Sequence, residues 1–412
     1  TDGGHAFIIV GYTHEGFIIQ NSWGPEWATG GRAILRYNDW REHAMDCWVV
    51  QIGVATSLHL AIAQSSSLRM AGDKVEVAQD VKLRNHELSP YIVNMENNGR
   101  LSTSGDFRTS EGDVEALVST YLERARATWG LKADAPVDIA IYAHGGLNTE
   151  KDAAETAAKW IPALYEQRIF PIFFMWETGL VSTLSNIFKD WFGDEARKTA
   201  GLQRWWDERL ERTLAKPGTA VWSEMKENGY LIGAAPNGGG HVLYDAAMRS
   251  KTFKQSRDRI HLIGHSAGGI VHAHLADMLA RKRWRFDSVN LMAPAATVSL
   301  FEQKMRPHID NGHIGQYNQW LLSEPLELKD TTCRPILGYG RSLLYLVSES
   351  FEGGTRTPIL GMQKYLKQLG KLPRTKIFAS QSRETNSTTH GGFDNDDATM
   401  QSVIRQIKAT SA

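Results

Sequence analysis

The sequence predicts an α/β fold: a mostly parallel sheet with helices on both faces, a helical insertion in its middle, and a small β-rich segment ahead of it. Three observations carry this. Apolar runs of strand length alternate with segments of helical periodicity from residue 137 onward, the order that builds parallel sheets through helical crossovers. A stretch from Glu177 to Arg257 separates two of those strands and is too long for a structureless loop. The first fifty-odd residues instead read as short strands joined by turns.

In chain order, Gly4–Tyr12 and Gly16–Gly24 are expected as strands with turns, followed by Trp27 and Gly30-Gly31. This gives a first unit over residues 1–54. Residues 55–86 lose the pattern, with turn residues at Ser65-Ser66-Ser67 and Gly72-Asp73, and are expected as a linker to a second domain over 87–412. Tyr91–Met95, then Asn97-Asn98-Gly99 and a return through Phe107, suggests a hairpin. Glu111 to Trp129 follows as a helix with Val114, Leu117, Tyr121 and Ala125 on one face.

Strands are then expected at 137–143, 169–175, 259–264 and 287–292, with helices at 151–166 and 269–281. Within the insertion, at about 177–257, Leu180, Leu184, Ile187, Phe188 and Trp191 lie at helical spacing, as do Leu202, Trp206, Leu210 and Leu214. This predicts a helical cap packed on the core, or a lid whose aromatic residues also line an apolar pocket. Asn237-Gly238-Gly239-Gly240-His241 lacks the Gly-Lys-Ser/Thr ending of a phosphate loop and is expected as a flexible turn. Gln316–Leu322 and Lys376–Ala379 read as the last strands before a final helix.

Bulk composition narrows the function classes. Lysine plus arginine number 46 and the acids number 46, a formal charge of zero, so nothing advertises nucleic-acid binding or an anionic membrane. The two cysteines, Cys47 and Cys333, are far apart, which argues against a disulfide framework and makes a reducing, cytoplasmic setting the default. No stretch reaches the roughly 18 apolar residues of a membrane span. The sequence starts at Thr1 inside a strand motif, as a truncated chain would, with native targeting information out of view.

The chemistry centres on Gly264-His265-Ser266-Ala267-Gly268, which follows the apolar run Ile260–Ile263 and precedes an amphipathic segment. That is a strand, a tight turn and a helix with a serine at the apex, its flanking glycines permitting a sharp backbone turn. Val137–Ala143 runs into His144-Gly145-Gly146 in a similar way. On these motifs the chain resembles an α/β-hydrolase from about Glu87 to its C-terminus. The resemblance implies a serine nucleophile at Ser266 and a chain order of serine, acid, histidine. It also implies an oxyanion hole from the N–H groups of Ala267 and of the Gly145-Gly146-Leu147 loop.

A serine hydroxyl needs an imidazole to take its proton, and the imidazole needs a carboxylate to fix its tautomer. His390, in Thr389-His390-Gly391-Gly392-Phe393-Asp394, lies between the last strand and the last helix, where the resemblance puts the base. The acid is expected at Asp330, whose Asp330–Pro335 turn resembles that of lipase-like hydrolases, with Glu324, Glu349 and Glu352 as alternatives. His265 and His144 are expected to brace the site and its loop.

Gly4-His5-Ala6-Phe7 and Gln20-Asn21-Ser22-Trp23-Gly24 resemble the C-terminal half of a papain-like cysteine protease. The resemblance implies a general base at His5 and an orienting amide at Asn21. That family's nucleophile is a cysteine at a helix N-terminus upstream of the histidine, and Cys47 comes after it, in what reads as a closing strand. The segment is therefore expected to be a catalytically dead half-domain.

Together these features predict a serine-dependent carboxylic ester hydrolase acting through an acyl-enzyme on a small ester with an apolar acyl or alcohol part. Amide or thioester hydrolysis by the same triad is the near alternative, and a cysteine peptidase missing its nucleophile half is another. No cofactor and no metal are expected: Asp394, Asp396 and Asp397 do not follow a calcium-loop pattern and suit the start of the last helix. Oligomeric state is open.

Overall fold

The computed structural model describes residues 5–44, 68–71, 74–77, 85–146, 149–176, 203–333 and 338–410. The chain divides into two compact units, Thr1–Ile52 and Gly53–Ala412. In the first, β1 (Ile8–Tyr12), β2 (Gly16–Gln20) and β3 (Arg32–Arg36) form an antiparallel sheet in that order. The turn expected around Gly30-Gly31 is present, both glycines taking positive φ.

In the second unit, β4 (Leu68–Ala71) and β5 (Lys74–Val77) pair antiparallel inside the stretch expected to be a linker. The main sheet contains β6 (Ile92–Met95), β7 (Asp138–Ala143), β8 (Ile169–Trp176), β9 (Arg259–His265), β10 (Phe286–Met292), β11 (Ile314–Leu321) and β12 (Thr375–Ala379). Their order is β12-β11-β10-β9-β7-β8-β6, and each neighbouring pair runs parallel. Strands covered by helices on both faces can be apolar throughout, and β8 is buried along its whole length. Asp138 at the start of β7 is a buried exception, held by Arg259 Nε at 2.5 Å, Lys408 Nζ at 3.0 Å and His261 Nε2 at 3.3 Å. Such pairing is what a buried charge requires.

The direction of strand addition reverses between β7 and β9. The chain steps from β7 to β8 on one side, then crosses to β9 and continues through β10 and β11 to β12 on the other. Open α/β sheets form their crevices at the carboxyl ends of the strands flanking such a reversal. The Gly145-Gly146 loop leaves β7 there and Ser266 leaves β9 there.

The crossover helices follow from sequence. Glu150–Glu166 opens with a reciprocal cap between Thr149 and Asp152. It buries Ala153, Ala157, Trp160, Ile161 and Leu164 on one face. Gly268–Arg281 follows Ser266 so closely on β7 that a β-carbon on Gly268 would lie 2.1 Å from the carbonyl oxygen of Ala143. Only glycine fits there.

The described part of the insertion contains the helices Gln203–Gly233 and Gly239–Arg249. Trp206, Leu210 and Leu214 are buried as their spacing predicts, whereas Leu180, Leu184, Ile187, Phe188, Trp191 and Leu202 lie outside the described residues. The long helix crosses Gly268–Arg281 at Gly229 and Gly233, where β-carbons would lie 2.8 Å from Ile270 Cγ2 and 2.5 Å from the Val271 carbonyl oxygen.

Two expectations are corrected. The glycine run is a packed helix start, with Gly238 as the N-cap and Gly239 and Gly240 in the first turn. Close neighbours impose glycine: added β-carbons would lie 2.0 Å from Leu231 O at Gly238 and 2.0 Å from Met95 Sδ at Gly239. The hairpin after β6 closes its turn through Gly99 N–H to Glu96 O at 2.8 Å, but its return is a single bridge, Met95 to Leu101. Beyond it, Ser102 and Thr109 hydroxyls donate to nearby carbonyls at 3.1 Å each, local bonds that compete with strand pairing. β6 pairs with β8 instead.

Candidate active site

Four strand ends supply the site residues. β9 ends at His265, and Ser266 follows in the left-handed region at φ 52°, a strained conformation for a residue with a β-carbon. Its main-chain N–H donates to Met292 O at 3.0 Å and its carbonyl accepts from Ala295 N–H at 2.9 Å. Those bonds, made to β10 and the turn after it, hold the strained elbow.

His390 begins a short 3-10 turn, His390–Asn395, between β12 and the helix Asp397–Ala409. Its Nε2 lies 2.9 Å from Ser266 Oγ, a distance at which the hydroxyl can donate to a neutral imidazole. Both side chains are buried. Burial first, and then the neighbouring His265, pull the His390 pKa down to about 3, with Asp394 working in the opposite direction. The ring is therefore neutral at physiological pH, the form that can accept a proton. When Nε2 accepts, the ring proton sits on Nδ1, which has no hydrogen-bond partner among the described residues.

The four candidate acids sit in different surroundings. Asp330, in the loop after β11, is fully buried; its Oδ2 accepts from the main-chain N–H of His390 at 2.6 Å and its Oδ1 from Thr332 N–H at 2.6 Å. Burial raises its pKa, and these N–H bonds oppose the rise. Glu324 accepts from the Tyr345 hydroxyl. Glu349 pairs with Arg356 at 2.8 Å and Lys364 at 3.1 Å. Glu352 pairs with Lys226 at 2.7 Å and accepts from Trp222 Nε1 at 2.7 Å. Asp330 is the one of the four with a hydrogen bond to His390, and that bond goes to the main chain rather than the ring.

The loop after β7 lies against the serine. A β-carbon on Gly145 would sit 3.2 Å from Ser266 Cβ, and one on Gly146 would sit 3.2 Å from Ala267 Cβ and 2.8 Å from Met225 Cε of the long cap helix. Ala267 is the N-cap of Gly268–Arg281, so its N–H lies at the electropositive end of a helix. Leu147 lies outside the described residues. His144 braces the loop: Trp176 N–H donates to its Nε2 at 3.1 Å, which leaves Nδ1 to donate to Gly145 O at 2.7 Å. Its ring stacks on Trp176 at 4.1 Å, and burial lowers its pKa to about 4.

Asp394 was read from sequence as part of a helix start. Asp396 does cap the last helix, through Thr399 N–H, but Asp394 is buried beside His265, with Oδ2 2.8 Å from Nδ1. The Tyr142 hydroxyl donates to its other oxygen. Met225 was also missed; the helical spacing read in the insertion, Leu202, Trp206, Leu210 and Leu214, stops short of it.

In the N-terminal unit, His5 Nε2 and Asn21 Oδ1 are 2.8 Å apart, and the His5 ring lies 4.7 Å from that of Trp23. Cys47 lies outside the described residues. No group of three or more histidine, cysteine, aspartate or glutamate side chains suited to a metal ion occurs among the described residues, and no described helix is long and apolar enough to cross a membrane.

No protein-family model matches the chain, and no curated protein does. Among solved structures it is similar to LpqC, a poly(3-hydroxybutyrate) depolymerase from Bordetella parapertussis, at 13% identity, covering 66% of this chain and 82% of that one with a TM-score of 0.29. It is also similar to an uncharacterized protein from Pseudomonas aeruginosa at 11% identity, covering 76% of this chain and 51% of that one, again with a TM-score of 0.29. Overlaps this loose carry no argument about chemistry, which rests on the residues.

Proposed function

We propose that the protein is a serine-dependent carboxylic ester hydrolase working through an acyl-enzyme. The observation that carries this reading is the 2.9 Å approach of His390 Nε2 to Ser266 Oγ, with the serine on a left-handed elbow between strand and helix. Ser266 attacks the ester carbonyl as His390 takes its proton. The N–H groups of Ala267 and of the Gly145-Gly146-Leu147 loop receive the oxyanion. His390 then gives the proton to the leaving alcohol, and activated water releases the acid. Asp330 is the acid of this reading. The substrate is a small ester with an apolar acyl or alcohol part, since Met225 and Ala267 bring apolar carbon to the loop beside the serine. The same machinery serves amides or thioesters.

The test is p-nitrophenyl ester turnover with covalent labelling by a fluorophosphonate. Ser266→Ala is expected to lose about 10³-fold or more in kcat and all labelling, with an unchanged circular dichroism spectrum. Retention of a tenth of wild-type turnover would remove Ser266 from the mechanism.

The His5–Asn21 bond favours a second reading, for the first unit alone: a papain-like half-domain remnant without activity of its own. His5→Ala and Cys47→Ala are expected to leave ester turnover unchanged. Thiol-dependent peptide cleavage by this chain would overturn that.

A further inference from the structure

His265 immediately precedes the proposed nucleophile, yet its Nε2 bonds elsewhere and its Nδ1 lies beside a carboxylate. Nε2 lies 2.9 Å from the main-chain oxygen of His390 and Nδ1 lies 2.8 Å from Asp394 Oδ2. A carbonyl oxygen only accepts, so Nε2 carries a proton. Asp394 Oδ2 faces Nδ1 at ion-pair distance but outside hydrogen-bond alignment, so the carboxylate favours a charged ring through its field rather than through a second donated bond. Asp394 is itself fixed from two further elements. The Tyr142 hydroxyl, from β7, donates to its Oδ1, and Trp160 Nε1, from the helix Glu150–Glu166, donates to its main-chain oxygen at 3.1 Å.

All of these groups are buried. A buried ion pair is a poor device for stability alone, because removing two charges from water consumes most of what their attraction returns. This one is laid against the residue proposed as the base. His390 is thereby gripped at both of its main-chain polar atoms: the N–H by Asp330 and the C=O by His265. Its ring lies between these two anchors and reaches Ser266, and the His265 and His390 ring centroids are 5.3 Å apart.

We propose that His265 and Asp394 form a positioning pair that holds the main chain of His390 in register with Ser266 and keeps a fixed positive charge beside the base. The inference rests on the reading of Ser266 and His390 as nucleophile and base. Neither member touches the reacting atoms. The charges facing the pair agree with it. Burial disfavours a charged His265, but Asp394 outweighs burial and raises the His265 pKa above its ordinary value. Burial likewise disfavours ionised Asp394, and His265, Tyr142 and His144 together hold its pKa below the ordinary value. His265 in turn adds to the burial that keeps His390 neutral.

Two substitutions separate the positional role from the charge. In His265→Gln the side-chain amide nitrogen falls near the Nε2 position and still donates to His390 O, whereas the shorter amide of His265→Asn cannot reach it. Both lack the charge. The expected result is kcat close to wild type for the Gln variant and a loss of about 10²-fold for the Asn variant, the scale of a misplacement near 1 Å, with KM unchanged. The acid limb of the pH–rate profile is expected to move to higher pH in both, because a neutral neighbour no longer disfavours the His390 imidazolium. Equal loss in both variants in step with a fall in Tm, or an acid limb that stays in place, overturns the inference.

A measurement on the wild-type protein keeps the inference falsifiable if the variants do not fold. In 15N spectra of the histidine rings at neutral pH, His265 is expected with both nitrogens protonated and His390 with one. A neutral His265 overturns the pair. A wild type that neither labels at Ser266 nor turns over any ester overturns the parent reading and the positioning role with it. Labelling that persists while the Gln and Asn variants behave alike overturns the positioning role only.

Discussion

Asp330 Oδ2 accepts a 2.6 Å hydrogen bond from the main-chain N–H of His390, so the buried carboxylate and the proposed base are joined through the backbone. That bond sets a carboxylate beside the proposed base while the ring Nδ1 has no described partner. If Asp330 supplies the negative charge that stabilises the imidazolium in the transition state, Asp330→Asn is expected to lower kcat by about 10²- to 10⁴-fold with little change in KM. Glu324→Gln, Glu349→Gln and Glu352→Gln, each held by other partners, are expected to stay within a few-fold of wild type. Steady-state kinetics on the four variants decides the order; a larger loss at any of the glutamates moves the acid away from Asp330.

The pH dependence of the rate follows from the His390 environment. An exposed histidine titrates near 6.5, and the reaction needs it neutral. Burial first, and then the charge of His265, pull its pKa down to about 3. Lowering the pKa of a base that must be unprotonated extends activity toward acid, so kcat/KM is expected to hold as pH falls through about 6.5 and to decline well below it. A profile measured where circular dichroism shows the fold intact, with its acid limb at or above about 6.5, would contradict this.

How much could be read in advance depended on whether the cause was local. The strands β7 to β10 are legible because burial on both faces makes them largely apolar runs, whereas β12 lies partly exposed at the sheet edge and was read as Lys376–Ala379, and the Gln316–Leu322 reading was within two residues of β11. Ser266 and His390 are legible from flanking glycines and chain order, and the structure brings them together. Asp394 was not, because its partners Tyr142, Trp160 and His265 come from three elements remote in sequence and converge only in the fold. The same holds for Gly238-Gly239-Gly240. Glycine there answers the close approach of Leu231 and Met95, while the local pattern of three glycines reads as a flexible turn.

Glu327 gives a prediction about stability. Burial raises its pKa to about 8, and Asp330 and Glu324 add to the rise while the Ser342 hydroxyl opposes it. The folded chain then holds a proton that the unfolded chain releases above its ordinary value of 4.5. Stability from this group is complete below the unfolded pKa and is lost as pH rises toward and through the folded one. Glu327→Gln, which cannot ionise, is therefore expected to raise Tm relative to wild type near about pH 8 and to change it little near about pH 4. Thermal melts at the two pH values check this, and a difference of the opposite sign would place an ionised carboxylate at this position.

The glycines around the serine separate a requirement of the fold from a requirement of the chemistry. A β-carbon on Gly268 would meet the backbone oxygen of Ala143 at 2.1 Å, and neither main-chain segment can yield without moving β7 or the helix that follows the serine. Gly268→Ala is expected to destabilise the protein by several kcal/mol, as overpacking against backbone does. At Gly146 the nearest obstacle is Met225 Cε at 2.8 Å, the free end of a flexible side chain, so Gly146→Ala is expected to fold with Tm close to wild type. Its effect is expected on the rate: displacing the loop proposed to present an N–H to the oxyanion is expected to cost about 10- to 10³-fold in kcat. If crowding by Met225 is the cause, Met225→Ala in the Gly146→Ala background removes the obstacle and restores much of the loss, a coupling that kinetics on the double-mutant cycle measures. Additive losses in that cycle would show that the cap helix does not set the position of the loop.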